Sequence, residues 1–184
     1  MTATTIKQTE GAPSSYPLAP TGLTAAAEAL APEMLWQRIE AYVAFRWTER
    51  AVTWIVEGCG EWVPPLTPAT IDTVEIWQAD DWEAATLSPS PLGGYCLPGG
   101  TYRFTGSVGS ADSPAVAPEI VDEAFRRLAE FMAATMKTST PGITAERVTA
   151  GSVTVEKSRS ASWAAEAMSN SGAGDLLRSY RRAS

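Results

Sequence analysis

The stretch PEIVDEAFRRLAEFMAATMK, from Pro118 to Lys137, is the most clearly patterned part of the chain and decides the first reading of its fold. A proline opens it, where a missing amide proton costs nothing, and Glu119, Asp122 and Glu123 sit at the positive end of a helix dipole. Ile120, Val121, Ala124, Leu128, Phe131, Met132 and Thr135 form one stripe, with Arg126, Arg127 and Glu130 opposite. Pro141-Gly142 then stops the pattern. The spacing predicts a long amphipathic helix that needs an apolar partner.

Upstream, a helix is expected to begin near Thr24 or to restart at Pro32. There Leu35, Trp36, Ile39, Tyr42 and Val43 share a face, while Arg38, Glu40 and Arg46 fall elsewhere. The two helices are expected to pack together. Between them the period changes. Val52 to Val56 is β-branched and aromatic, and Gly58-Cys59-Gly60 breaks it. Trp62 to Pro68 is proline-limited and reads as an edge or a connection. Ile71, Thr73, Glu75 and Trp77 alternate with Asp72, Val74 and Ile76, and short strands are also expected at Ala84 to Leu87 and Thr101 to Thr105.

The predicted class is therefore α+β: mainly a helical bundle, with a small antiparallel β insert at about 50–106 and an extended C-terminal tail. Residues 1–23, rich in Thr, Ser, Pro and Gly, read as a flexible arm, 24–140 as the body, and 141–184 as an extended segment and docking tail.

At 184 residues and 45% hydrophobic, the chain suits one domain with extensions. Its net charge of -7 argues against nucleic-acid binding over the whole surface. No Lys or Arg lies between Arg50 and Arg103, where Glu57, Glu61, Asp72, Glu75, Asp80, Asp81 and Glu83 all fall. From Lys157 onward the balance reverses, with Lys157, Arg159, Arg178, Arg181 and Arg182 against Glu166 and Asp175. An acidic middle and a basic end suit pairing between copies or with partners; solvated faces are the alternative. Cys59 and Cys96 form no CxxC arrangement and are expected as free thiols, although they could meet across a hairpin. The first thirty residues have no apolar h-region and no run suits a bilayer, so a soluble, cytoplasmic protein is expected.

The chain has no histidine, which excludes Ser-His-Asp, Cys-His and histidine-ligated metal chemistry. It has no P-loop or GxGxxG, and Gly106 to Ser110 lacks nucleophile-elbow spacing. No cofactor and no metal are expected. The best enzymatic candidates are Glu57 or Glu61 with Asp80 or Asp81, beside Trp54, Trp62, Trp77 and Trp82, as a glycosidase pair. Those tryptophans alternatively form a carbohydrate-binding face. The preferred reading turns Trp54 and Trp77 inward as sheet filling, with Trp36 and Trp47 likewise in a core.

At the C-terminus, Leu176, Leu177, Arg178, Tyr180, Arg181 and Arg182 suggest an anchor that lays apolar side chains in a partner's groove while the arginines meet acidic residues. Contacts to nucleic-acid phosphates, with Tyr180 stacking, are the alternative.

An ordered series runs along the chain: Arg38 to Tyr42, Thr53-Trp54, Pro64-Pro65-Leu66, Ile71 to Val74, Gly99 to Phe104, the helix through Phe131, Gly142 to Arg147, Ser152 to Val155, and Leu177 to Arg182. Together these segments, from about Ala31 to Arg182, resemble the head–tail connector (adaptor) proteins of tailed bacteriophages and gene transfer agents. The resemblance implies a non-enzymatic virion protein that forms a ring of typically twelve copies. It implies portal protein as one partner and a stopper or tail-completion protein as another, with DNA passing through the lumen without specific binding and no membrane contact. The implied location is the virion neck, reached from the host cytoplasm during assembly. Carried over, Leu176, Leu177, Arg178, Tyr180, Arg181 and Arg182 are the portal-docking candidates. Ile143, Glu146, Arg147, Val153 and Val155 belong to a segment expected to bridge subunits, with strand addition as the expected mode. The long proline-rich arm departs from the family's pattern.

Overall fold

A computed structural model describes residues 2–112, 115–137, 145–150, 153–158 and 166–181. The chain divides into two compact units, Met1–Pro17 with Ala44–Val116, and Leu18–Val43 with Ala117–Arg181.

The first unit is all β. Its larger sheet is antiparallel with the order β1-β2-β8-β4-β5, built from β1 (Thr4–Glu10), β2 (Arg50–Glu57), β8 (Thr101–Val108), β4 (Ala69–Gln78) and β5 (Asp81–Ala84). A second sheet joins β3 (Gly60–Trp62), β7 (Tyr95–Leu97) and β6 (Ser88–Pro89). Burial alternates residue by residue along β2 and β8, as period-two side chains on a one-sided sheet require. Val52, Trp54, Val56, Tyr102, Phe104 and Val108 point into the core, where Trp62, Leu66 and Leu97 close on them. Trp62 of the second sheet stacks on Phe104 with centroids 4.2 Å apart.

Gly106 marks where the main sheet bends. The β4–β8 register shifts between Ile71 and Thr73, and a Cβ on Gly106 would sit 2.0 Å from the Thr70 carbonyl oxygen. Only a residue without a side chain allows the strands to come this close.

The second unit is helical, with α1 (Ala25–Glu28), α2 (Pro32–Tyr42), α3 (Glu119–Lys137), α4 (Ala167–Asn170) and α5 (Ala173–Leu176), then a 3-10 turn at Arg178–Tyr180. It also carries a two-stranded antiparallel hairpin, β9 (Ala145–Ala150) with β10 (Val153–Ser158). Pro32 opens α2 and Thr24 caps α1 by accepting from the Ala27 amide at 3.4 Å. Trp36 of α2 packs on Phe125 of α3 at 5.0 Å. The segment leading into α1 is tied along α3: Arg126 donates to the Thr21 carbonyl at 3.0 Å, and Thr24 donates its amide and hydroxyl to Glu130 at 2.7 and 2.8 Å.

Four expectations change. The chain is not mainly a helical bundle, since strands (34%) exceed helices (30%) and the β part has its own core and two sheets. The tail is not extended where it is described, because residues 166–181 fold into short helical turns packed against α3. Within the stretch read as a flexible arm, Thr4–Glu10 pairs with β2 as an edge strand. The buried stripe of α3 is Val121, Ala124, Phe125, Leu128, Ala129, Met132 and Ala133, rotated from the expected one, and Ile120 is exposed.

Candidate docking surfaces

The C-terminal segment is positioned by small residues. Ala167, Ala173 and Gly174 are buried, and a Cβ on Gly174 would lie 2.8 Å from the Tyr42 hydroxyl, so α5 lies close against the end of α2. This approach places Leu177 wholly inside the unit, at 0% exposure. Arg178, Ser179 and Arg181 are exposed, and Leu176 and Tyr180 are half-buried. Arg178 pairs with Asp175 at 2.8 Å, one turn back. The Arg181 guanidinium lies 4.8 Å above the Tyr42 ring, with a 3.4 Å hydrogen bond to its hydroxyl. Of the six residues expected to dock, Leu177 is thus committed to this unit's own core, and Arg182 lies outside the described residues.

In the β9–β10 hairpin, register sets Glu146 opposite Lys157, Arg147 opposite Glu156 and Val148 opposite Val155, with Val153 opposite Ala150. Ile143 lies outside the described residues. The pair forms its own two-stranded sheet, separate from the two larger ones.

The third surface is the outward face of the main sheet. Trp54 points inward, as expected, and its indole donates to Gln8 Oε1 at 2.9 Å. Trp77 does not: it points outward and is 44% exposed, paired in register with Trp82, their rings edge to face at 5.2 Å. Ala79 and Asp80, both at positive φ, close the tight turn between them. Arg103 lies 4.6 Å over the Trp82 ring and donates through Nε to Glu75. That guanidinium holds the Glu75 carboxyl below the usual carboxylate range, and Glu75 in turn raises Arg103. Sequence reading missed this role of Arg103, although its place between inward Tyr102 and Phe104 was the signal that it faces out.

The carboxylates proposed for catalysis are dispersed. Glu61 sits on the smaller sheet and accepts from Ser90 Oγ at 2.8 Å. Glu57 ends β2, while Asp80 and Asp81 end the β4–β5 hairpin on the other side of β8. Among the described residues there is no cluster of three His, Cys, Asp or Glu that could hold a metal, and no helix is long and apolar enough to cross a membrane. Cys59 and Cys96 are both free thiols.

No family model and no curated protein matches this sequence. Chains of solved structures are similar to it, two of which are as follows. One is a chain from "Neck of native GTA particle computed with C12 symmetry", 16% identical, with 88% of this chain and 85% of that chain covered and a TM-score of 0.44. The other, from "Neck of empty GTA particle computed with C6 symmetry", is 13% identical, with 100% and 97% covered and a TM-score of 0.44.

Proposed function

We propose that this chain is a structural neck subunit of a tailed particle. It is an adaptor that forms a homo-oligomeric ring, seats on the portal, and receives a stopper or the next tail component while DNA passes through the lumen. The observation that carries the reading is the C-terminal segment. A buried Leu177 fixes a tip that exposes Arg178 and Arg181 and leaves Tyr180 half-buried between them, a basic and aromatic surface. A tip already ordered before docking loses less entropy on binding than a free tail does. The ordered sequence resemblance from Ala31 to Arg182 supplies the partner, the portal.

In this reading Leu176, Arg178, Tyr180 and Arg181 dock, Arg182 extends the contact, and Leu177 anchors the tip. The hairpin carrying Glu146, Arg147, Val153 and Val155 reaches a neighbouring subunit. A lone two-stranded ribbon is marginally stable in water, and it offers two edges for strand addition. The chain works without a cofactor, in the virion neck after assembly in the host cytoplasm. Acidic walls let the duplex slide rather than grip it.

Electron microscopy of the purified protein, alone and with portal, tests the reading directly: rings seated on portal are expected, and monomers that ignore it would overturn it. Truncation after Asn170 also removes Leu177 from the core, so the cleaner variant is Arg178→Glu with Arg181→Glu. It should melt like the parent and leave particles without tails. Normal tail attachment by that variant would refute the docking assignment.

The exposed Trp77 favours one rival, a carbohydrate-binding module of a particle. Glycan binding lost on Trp77→Ala would select it.

A further inference from the structure

The outward face of the β4–β5 hairpin has no part in the adaptor reading. There, Trp82 already holds a guanidinium: Arg103 lies over its ring at 4.6 Å and is bonded to the Glu75 carboxylate. Its partner Trp77 presents a comparable ring with more of it open. The ladder between β4 and β8 ends at the Ile76–Tyr102 pair, one residue short of Trp77. The hairpin and its approach carry Asp72, Glu75, Asp80, Asp81 and Glu83, and no Lys or Arg occurs between Arg50 and Arg103. Trp77 and Trp82 sit in a short ribbon closed by a two-residue turn, which fixes the spacing of the rings.

The geometry points to the Trp77–Trp82 face as a docking site for an arginine-bearing segment of a partner protein, with a guanidinium stacked on Trp77 beside the turn that carries Asp80. Charge complementarity selects a cationic partner: Glu75 already meets Arg103, and Asp80, Asp81 and Glu83 remain in excess of positive charge along the hairpin, a potential that disfavours anionic partners such as nucleic acid. Arg103 on Trp82 shows which cation the surface suits. A planar, weakly hydrated guanidinium stacks on an indole while bonding a carboxylate edge-on, and a compact, strongly hydrated ammonium gains less from the same ring. A neutral sugar would stack but gain nothing from the charge. The site does not depend on the adaptor reading, because it specifies the chemistry of the partner and not the assembly.

The test uses the full-length, isotopically labelled protein and three probes: acetylated tri-arginine, acetylated tri-lysine and a neutral hexasaccharide. Tri-arginine should shift the Trp77 and Trp82 indole resonances saturably and bind several-fold more tightly than tri-lysine. Trp77→Ala should weaken it about three- to tenfold. Because Trp77 is outside the core, that variant should keep its thermal midpoint. If it does not, Asp80→Asn, which tolerates the same positive φ, should still weaken tri-arginine about two- to threefold. Equal affinity for the two peptides, indifference to both substitutions, no shift with tri-arginine, or preferential binding of the hexasaccharide would each overturn the proposal.

Discussion

Glu10 receives a fork from Arg46, with Nε 2.6 Å from Oε1 and Nη2 3.1 Å from Oε2. The same Oε1 accepts from Arg50 Nη1 at 3.2 Å. One carboxylate on the first strand therefore answers two buried guanidiniums. Removing Glu10 strips both guanidiniums of this carboxylate where little water reaches them, leaving the Phe45 and Thr48 carbonyls among their contacts. Glu10→Ala is expected to cost about 3 kcal/mol, read as a lowered midpoint in urea unfolding. A loss under ~0.5 kcal/mol, the range of ordinary surface changes, would mean that the cluster does not hold β1.

The Glu75–Arg103 pair makes acid stability depend on Glu75. Its folded-state pKa is depressed, chiefly by the hydrogen bond from Arg103. Its contribution is thus fully present above the ordinary glutamate pKa of ~4.3 and disappears as pH falls through the lower folded-state value. Glu75→Gln should be less stable than the parent at neutral pH, and the two melting curves should converge in acid. Parallel curves across that range would argue against the pairing.

Gly106→Ala should fail at the bend of the sheet. The added carbon meets the Thr70 carbonyl oxygen at 2.0 Å, and backbone on both sides must move. We expect a loss of about 2–4 kcal/mol or no soluble protein, measured by expression and thermal unfolding. A parent-like midpoint would mean that the strands do not approach so closely.

Leu177→Ala should loosen the C-terminal tip selectively. Truncating a fully buried leucine costs about 2–5 kcal/mol. Amide exchange should accelerate across residues 166–181 while β2 and β8 stay protected. Unchanged protection of the tip would remove Leu177 from its anchoring role.

Sequence patterning was legible where one face is apolar and the other is not. The long helix begins just after Pro118, as its opening signals place it, Pro32 opens α2, and the alternation of β2 and β8 is plain in the residues, while the stop at Pro141-Gly142 lies outside the described residues. The misses share a physical cause: burial carried by residues that patterning counts as polar or negligible. Strand β1 has one large apolar residue, Ile6, which is exposed, and it serves the core through polar side chains. Gln8 and Thr5 accept the indole protons of Trp54 and Trp62, each at 2.9 Å. In the tail, expected to be extended, Ala167, Ala173 and Gly174 offer no large apolar side chain, yet their smallness is what lets the backbone close on its neighbours. The stretch from Trp62 to Pro68 reads as an edge or a connection because of its prolines, and Trp62 does end the edge strand β3, but its ring lies at the centre of the β core. Trp77 went the other way, since an alternating strand does not reveal which of its faces is covered.

The interleaving of the two units sets the order in which a nascent chain can fold. Strand β1 leaves the ribosome first, but its partner β2 follows some forty residues later, and β8, which joins β2 to β4, comes some fifty residues after that. The helical unit likewise waits for its second half, beyond Ala117. Such non-local pairing makes folding slow and late in synthesis. Neither unit is encoded as one continuous stretch, so a break anywhere between Leu18 and Val116 separates pieces that must meet again.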